Sequence, residues 1–401
     1  MAFMRFIRPL LHRLPENWQQ VLRVRGKRAA NFLRRVKRRH LILVRLLTHR
    51  SPIKEKTLYA FYDLGREPIT FDFLFFLVAA DLKRRAMGLN AVSVIFVPGE
   101  KGGFREEWPD YERIVDRESR RWRVSNLLLP TLQFLPSCTG YIFCHSRREA
   151  DFVASLARHV YPENYEAESP DTQGYAVTAH REVRAAGKAG KRVNVLTGGE
   201  QAHRYVDQWL APRARERKVV TITLREYGYH EERNSNVTAW TAFARSLDPE
   251  EFFVVFVRDL ETAMAPTTGL FAGLTIFEGA PINLELRMAL YERSYLNLGS
   301  SNGPMALCVL NEKTPYVMFK ILTPGVPQAT LEWLTNIGIE IGAERHSFAT
   351  PFQKLVWEDD DLDVIRRAFK TMCETLEIRD RASLRGEDKE DMPDMINEPS
   401  G

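Results

Sequence analysis

What this 401-residue chain lacks narrows its class before any motif is read. It has four cysteines, Cys138, Cys144, Cys308 and Cys373, and no CxxC pair among them. That argues against a disulfide scaffold and against a cysteine-ligated zinc site. No apolar leader with a small-residue cleavage site is seen, so a reducing cytoplasm is the expected compartment. The longest apolar run, around Phe71 to Ala80, is interrupted by Asp72 and is too short to span a bilayer. The uncharged stretch from Val124 to Ser146 contains Pro130 and Pro136 and many polar groups, so it is not read as a span either. A P-loop, a GxGxxG turn and an internal repeat of fixed period are all missing. Acid is scarce at one end only: residues 1 to 56 carry sixteen Lys or Arg against two Asp or Glu, within a chain whose net charge is +5. The remainder is therefore net acidic, and any attraction to an anionic partner is local.

The basic end is patterned. Phe3, Phe6, Ile7, Leu10, Leu11 and Leu14 form an apolar leading segment. After Pro15, apolar residues from Trp18 to Leu47 recur at helical spacing beside Arg34, Arg35, Lys37, Arg38 and Arg39. Residues 1–55 thus read as a basic amphipathic helical arm. Its partner is expected to be an anionic membrane surface met through residues 1–50, which would make the protein peripheral on the inner face of the plasma membrane. Packing of the arm on the protein's own body is an open alternative. Nucleic acid is the weakest of the three.

From Thr57 the pattern becomes α/β. Strands are expected at Leu58–Tyr62, Ala91–Val97 and Gly140–Cys144, with helices at Thr70–Met87, Arg147–His159 and Gln201–Leu210. The polar region from Tyr161 to Lys191 has no clear period, and Pro212 to Arg217 reads as a linker. A second unit follows, with strands at 218–224, 252–257, 270–276, 295–298 and 315–319. Its helices are expected at 236–246, 284–293, 304–310, 328–336 and 361–377. The fold class is α/β, with two Rossmann-like domains facing a cleft: 56–215, then 216–378, then a polar disordered tail at 379–401. The 44% hydrophobic content is enough for two cores.

Two places in the second unit have the grammar of an anion site. The β-branched run Lys218–Leu224 delivers Arg225 and Glu226 to the carboxyl edge of a sheet, and Arg233, Asn234, Ser235 and Asn236 open a helix. Tyr295–Leu298 reads as a short buried strand. Gly299, Ser300, Ser301, Asn302 and Gly303 make a polar turn after it, and Pro304 suits the first position of a helix. Small residues before a helix start leave backbone N–H groups for a phosphate. For the run Glu358 to Asp363, which contains DxD spacing, capping of the following helix is the preferred reading, and no metal site is assigned.

The order TLRE, RNSN before a helix, FVRD at a strand end and LNLGSSNGP before a later helix resembles the C-terminal half of uncharacterised bacterial GT-B-type glycosyltransferases of surface-polysaccharide type. There is also a distant likeness to fucosyltransferase-type nucleotide-sugar sites. TFDFLFFL, VPGEKGGFR and CHSRREA resemble segments of the same family's first half, so the likeness spans about residues 57 to 375. It implies a nucleotide-diphosphate sugar donor bound by the second domain, a glycan or lipid-linked acceptor on the first, and no cofactor or catalytic metal. Under that resemblance Arg225, Arg233, Asn234, Arg258, Ser300, Ser301, Asn302 and Gly303 hold the donor. The proton of the acceptor hydroxyl would go to a carboxylate or imidazole at a strand end, and Asp63, His145 and Glu226 are the leading candidates. The alternative is a catalytically inactive binding or scaffold protein in polysaccharide assembly.

Overall fold

The computed structural model describes residues 56–100, 103–169 and 174–385; the basic arm at 1–55, with the membrane contact expected of it, and residues 386–401 lie outside them. Two parallel sheets organise the chain. The first is built from β1 (Thr57–Asp63), β2 (Ala91–Val97), β3 (Cys138–Phe143) and β4 (Val160–Tyr161), in the order β3-β2-β1-β4. Its helices are α1 (Asp72–Ala86), α2 (Pro109–Ile114), α3 (Arg117–Arg123), α4 (Arg147–Leu156) and α5 (Ala176–Lys188). Every residue of β1 is buried, as expected of a central parallel strand covered on both faces. The Tyr62 ring meets Phe73 and Phe76 of α1 edge-on, at centroid distances of 4.6 and 5.0 Å.

The second sheet follows α6 (Glu200–Ala214). It comprises β5 (Lys218–Thr223), β6 (Phe252–Val257), β7 (Thr275–Ile276), β8 (Leu296–Ser300), β9 (Tyr316–Phe319) and β10 (Gln353–Leu355). Interleaved with them are α7 (Val237–Ser246), α8 (Leu284–Arg293) and α9 (Leu331–Asn336), and α10 (Leu362–Arg385) closes the described chain. The strand order is β10-β9-β8-β5-β6-β7, all parallel, so chain direction across the sheet reverses between β5 and β8. Open parallel sheets bind ligands in the crevice at that reversal. Arg225 follows β5 and Ser301 follows β8, so both loops with anion-site grammar lie beside it.

The structure departs from the sequence reading in four places. α6 runs through Pro212 to Ala214, because Ala202, Val206, Leu210 and Ala214 continue one apolar stripe against Val219, Phe253 and Val255 of the second sheet. Only Thr275 and Ile276 of the expected 270–276 strand are extended, since Gly269 and Gly273 turn the chain at φ of +59° and +75°. The polar stretch after Tyr161 contains α5, and α10 continues past Ile378, where Arg379 lies over the Phe352 ring and Arg381 pairs with Glu377. Among the described residues no helix is long and apolar enough to cross a membrane.

One apolar cluster reaches from Tyr62, Phe73 and Phe76 to Met288, Leu307 and Leu310, so the two sheets share part of a core. Glycine makes one of these contacts possible: a Cβ on Gly303 would sit 2.7 Å from Cδ2 of Phe71. The loop after β8 therefore lies directly against the start of α1.

Candidate functional site

Between the sheets is a cavity of about 630 Å³, lined from the first half by Glu67, Phe71, Asp72, Phe75, His180 and Arg184, and from the second by Arg225, Arg233, Asp259, Ser301, Asn302 and Gly303. Five of the eleven residues expected at the site thus border it: Arg225, Arg233, Ser301, Asn302 and Gly303. Of the other six, five are used in holding the surrounding structure and His145 stands in solvent.

Arg225 serves both ends. Its backbone N–H donates to Ser235 Oγ at 2.9 Å, and Ser235 Oγ lies 2.7 Å from Ser300 Oγ, which ties the two loops together. Its guanidinium donates to the carbonyls of His230 (2.9 Å) and Tyr229 and to Asn234 Oδ1. Neither Glu226 nor Asp259 is a direct partner of that guanidinium. Asn234 in turn accepts from Tyr227 N–H and donates to Tyr227 O, both at 3.0 Å, so it braces the loop without facing the cavity. Burial lowers the pKa of Arg225, and the Asp259 charge opposes that shift.

Arg233 is the less committed cation. It donates to Ser301 O at 3.1 Å and has no ion-pair partner among the described residues. Burial and then the Arg225 charge bring its pKa down to about 10, while Asp72 across the cavity pulls the other way. Two guanidiniums that repel one another in a concave site favour a multivalent anion between them. Nearby, Asn302 Oδ1 accepts from Met305 N–H at 3.1 Å, whereas its buried Nδ2 has no partner. A buried amide donor left unpaired costs free energy that a bound acceptor atom would recover.

The remaining expected residues sit elsewhere. Arg258 and Glu226 bind each other through two contacts of 3.0 and 2.6 Å, and Thr262 Oγ1 donates to the same carboxylate at 2.9 Å. Asp63 is 3% exposed. It accepts from Arg147 (2.8 Å twice), Arg66 (2.8 Å), Tyr165 Oη (2.8 Å) and Gly65 N–H (3.0 Å). His145 is 93% exposed and pairs with Glu149 at 3.2 Å. Asp63, His145 and Glu226 therefore all stand off the cavity, the first and last saturated by their partners and His145 in solvent. Within the acidic run, Asp360 is buried and accepts from Asn236 N–H (2.9 Å) and Trp240 Nε1 (2.7 Å), fastening the start of α7.

The carboxylates that do face the cavity were given no role from the sequence. Asp72 opens α1; His180 Nε2 is 2.8 Å from its Oδ1, and Thr70 Oγ1 donates to Oδ2 at 2.6 Å. Its side chain is 42% exposed, leaving lone pairs open to the cavity. Burial pushes the Asp72 carboxyl up, but the His180 and Thr70 hydrogen bonds and the Arg105 charge outweigh it and hold the group below its ordinary value. Glu67 is the opposite case: burial pushes it up to about 7, although the N–H groups of Tyr175 and Ala176 donate to it. The available signal for Asp72 was a carboxylate inside the apolar helical run TFDFLFFL directly after a strand. For His180 and Arg184 there was none, because α5 was not read as a helix.

No family model matches the sequence, and no curated protein matches it. Among solved structures the chain is similar to a glycosyl transferase family 9 protein from Veillonella parvula, with a TM-score of 0.48 and 10% identity over 80% of this chain and 98% of that one. It is also similar to the ADP-heptose lps heptosyltransferase II of E. coli, with a TM-score of 0.46 and 11% identity over 82% and 100% of the two chains. NodZ alpha-1,6-fucosyltransferase soaked with GDP-fucose gives a TM-score of 0.33 and 13% identity over 68% and 98%. Each of the three is a glycosyltransferase.

Proposed function

We propose that the protein transfers a sugar from a nucleotide-diphosphate donor to a hydroxyl of a glycan or lipid-linked acceptor. The observation that carries this reading is the opposition across one cavity of a guanidinium pair, Arg225 and Arg233, and a hydrogen-bonded carboxylate, Asp72. Glycosyl transfer needs both. As the acceptor oxygen bonds to the anomeric carbon, its proton passes to Asp72. The bond from that carbon to the terminal phosphate oxygen breaks, and the charge left on the diphosphate is met by the two guanidiniums and the Asn302 amide. The segments TLRE, RNSN and SSNGP, which carry the sequence resemblance, supply the cationic side.

In this reading the guanidiniums do the work that a divalent cation does elsewhere, so activity persists in EDTA. The basic arm would hold the cleft beside an anionic leaflet where a lipid-linked acceptor resides; flotation with acidic liposomes is expected for the full chain and lost on deletion of residues 1–50. The direct test of chemistry is Asp72→Asn. Release of nucleoside diphosphate from nucleotide sugars, with or without a glycan acceptor, should fall by about 10² to 10⁴, with binding of the nucleoside diphosphate preserved. Equal turnover by the variant would remove Asp72 from its role, and no turnover of any nucleotide sugar by the native protein would sink the transferase reading.

A further inference from the structure

We propose that Arg184 fixes His180 as the neutral tautomer with its proton on Nε2, which leaves Asp72 as the single group that collects the acceptor proton. The role of Asp72 rests on the glycosyl-transfer reading; the tautomer of His180 does not.

Arg184 Nη1 lies 2.9 Å from His180 Nδ1, and a guanidinium has donors only. Nδ1 must therefore accept, and the imidazole proton must sit on Nε2, where it donates to Asp72 Oδ1 at 2.8 Å. A second proton on His180 would set two N–H donors and two positive charges face to face. Both side chains are buried, at 7% exposure each, so water would not relieve that repulsion. A histidine beside a carboxylate ordinarily gains a proton from the pairing. Here the guanidinium on the other side of the ring opposes it.

The packing holds this geometry. Phe75 stacks on the His180 ring at a centroid distance of 3.8 Å, and the Arg184 guanidinium lies over the same phenyl ring at 4.9 Å. Asp72, Arg184 and His346 are the charged or titratable groups that act on His180 from the packed elements. Burial and then the Arg184 charge bring the pKa of His346 down to about 3. For His180, burial and the Arg184 charge outweigh the Asp72 contribution and lower its pKa.

The consequence is catalytic. An imidazolium would neutralise Asp72 and make it a poorer base, whereas a neutral Nε2–H orients the carboxylate and leaves it negative. Arg184 is thus a positioning residue that works through the histidine. Its own Nε is buried without a partner.

The test is long-range ¹H–¹⁵N correlation on protein labelled in the histidine rings, followed from pH 8 to pH 5.5. Native His180 should keep the pattern of a neutral Nε2–H ring throughout. Arg184→Met should convert it to imidazolium with a midpoint raised by about one pH unit or more, while Arg184→Lys, which keeps a cationic donor, should stay near the native pattern. An Nδ1–H tautomer or an imidazolium in the native protein at pH 7 overturns the inference, as does a native-like titration in Arg184→Met. Should that variant not fold, the native spectrum decides by itself. In nucleotide-sugar turnover, Arg184→Met should lose about a hundredfold while still binding nucleoside diphosphate. A native protein with the expected tautomer but no turnover would retire the transferase reading and leave the tautomer assignment standing.

Discussion

The two halves meet the cavity by one pattern and with opposite charge. In the first, β1 ends at Asp63 and the loop leads to Asp72 at the start of α1; in the second, β5 leads to Arg225 and the loop continues to Arg233 before α7. In each half the charged residue at the strand end is consumed by its surroundings. Another charged residue farther along the loop, Asp72 in the first half and Arg233 in the second, lines the cavity. The halves differ in what the consumed residue holds. Asp63 gathers donors from distant parts of the chain, Arg147 and Tyr165 among them, whereas Arg225 closes its own loop on the carbonyls of Tyr229 and His230. In both halves the strand end anchors the backbone of a loop, and a second charged residue farther along reaches the cavity.

That contrast predicts a ranking. Asp63→Ala strands two half-buried guanidiniums around a buried position and should destabilise the fold by about 3–5 kcal/mol in denaturant titration. A change below about 1 kcal/mol would mean that Asp63 is not the knot described. Arg225→Ala removes hydrogen bonds confined to one loop and should cost about 1–3 kcal/mol, with increased amide exchange limited to residues 226–235. Loss of protection throughout the first sheet would erase the distinction between the halves.

Glu67 gives a pH signature to the first half alone. Its folded pKa is raised to about 7 from an ordinary 4.5, chiefly by burial, so the folded state binds the proton more tightly. The stability it contributes is complete below about pH 4.5 and is lost as pH rises through about 7, with a slope of at most about 1.4 kcal/mol for each step of one in pH. Glu67→Gln cannot ionise, so its stability should be flatter than native across that window; parallel curves would show that Glu67 is already charged at low pH. At the bottom of the ranking, His145→Ala should change stability by less than about 0.5 kcal/mol and leave nucleotide binding untouched, since that imidazole stands in solvent beside Glu149.

The sequence was most readable where one residue type had one job. The β-branched and apolar runs of β2, β5 and β6 read as buried parallel strands, and their bounds were read within a residue. The turn at Ser301 to Gly303 was readable because small polar residues ahead of Pro304 fit little else. α5 was hidden because its buried face includes His180 and Arg184, which pack against Asp72 and Phe75 of α1 and interrupt the apolar stripe. β4 and β10, of two and three residues, are too short to show a period. The choice of Asp63 as a candidate base has the same origin. Nothing local to Asp63 shows that Arg147 and Tyr165, 84 and 102 residues further on, saturate its carboxylate.

Arg233 lines the cavity with no ion-pair partner among the described residues, the placement that the proposed diphosphate site requires. Calorimetric titration of ADP, GDP, UDP and CDP into native protein and Arg233→Ala measures it directly. Saturable binding of at least one nucleotide by the native protein is expected, weakened by about tenfold or more in the variant, with unchanged folding stability. Equal affinity in the two proteins, or no binding of any of the four, would contradict it.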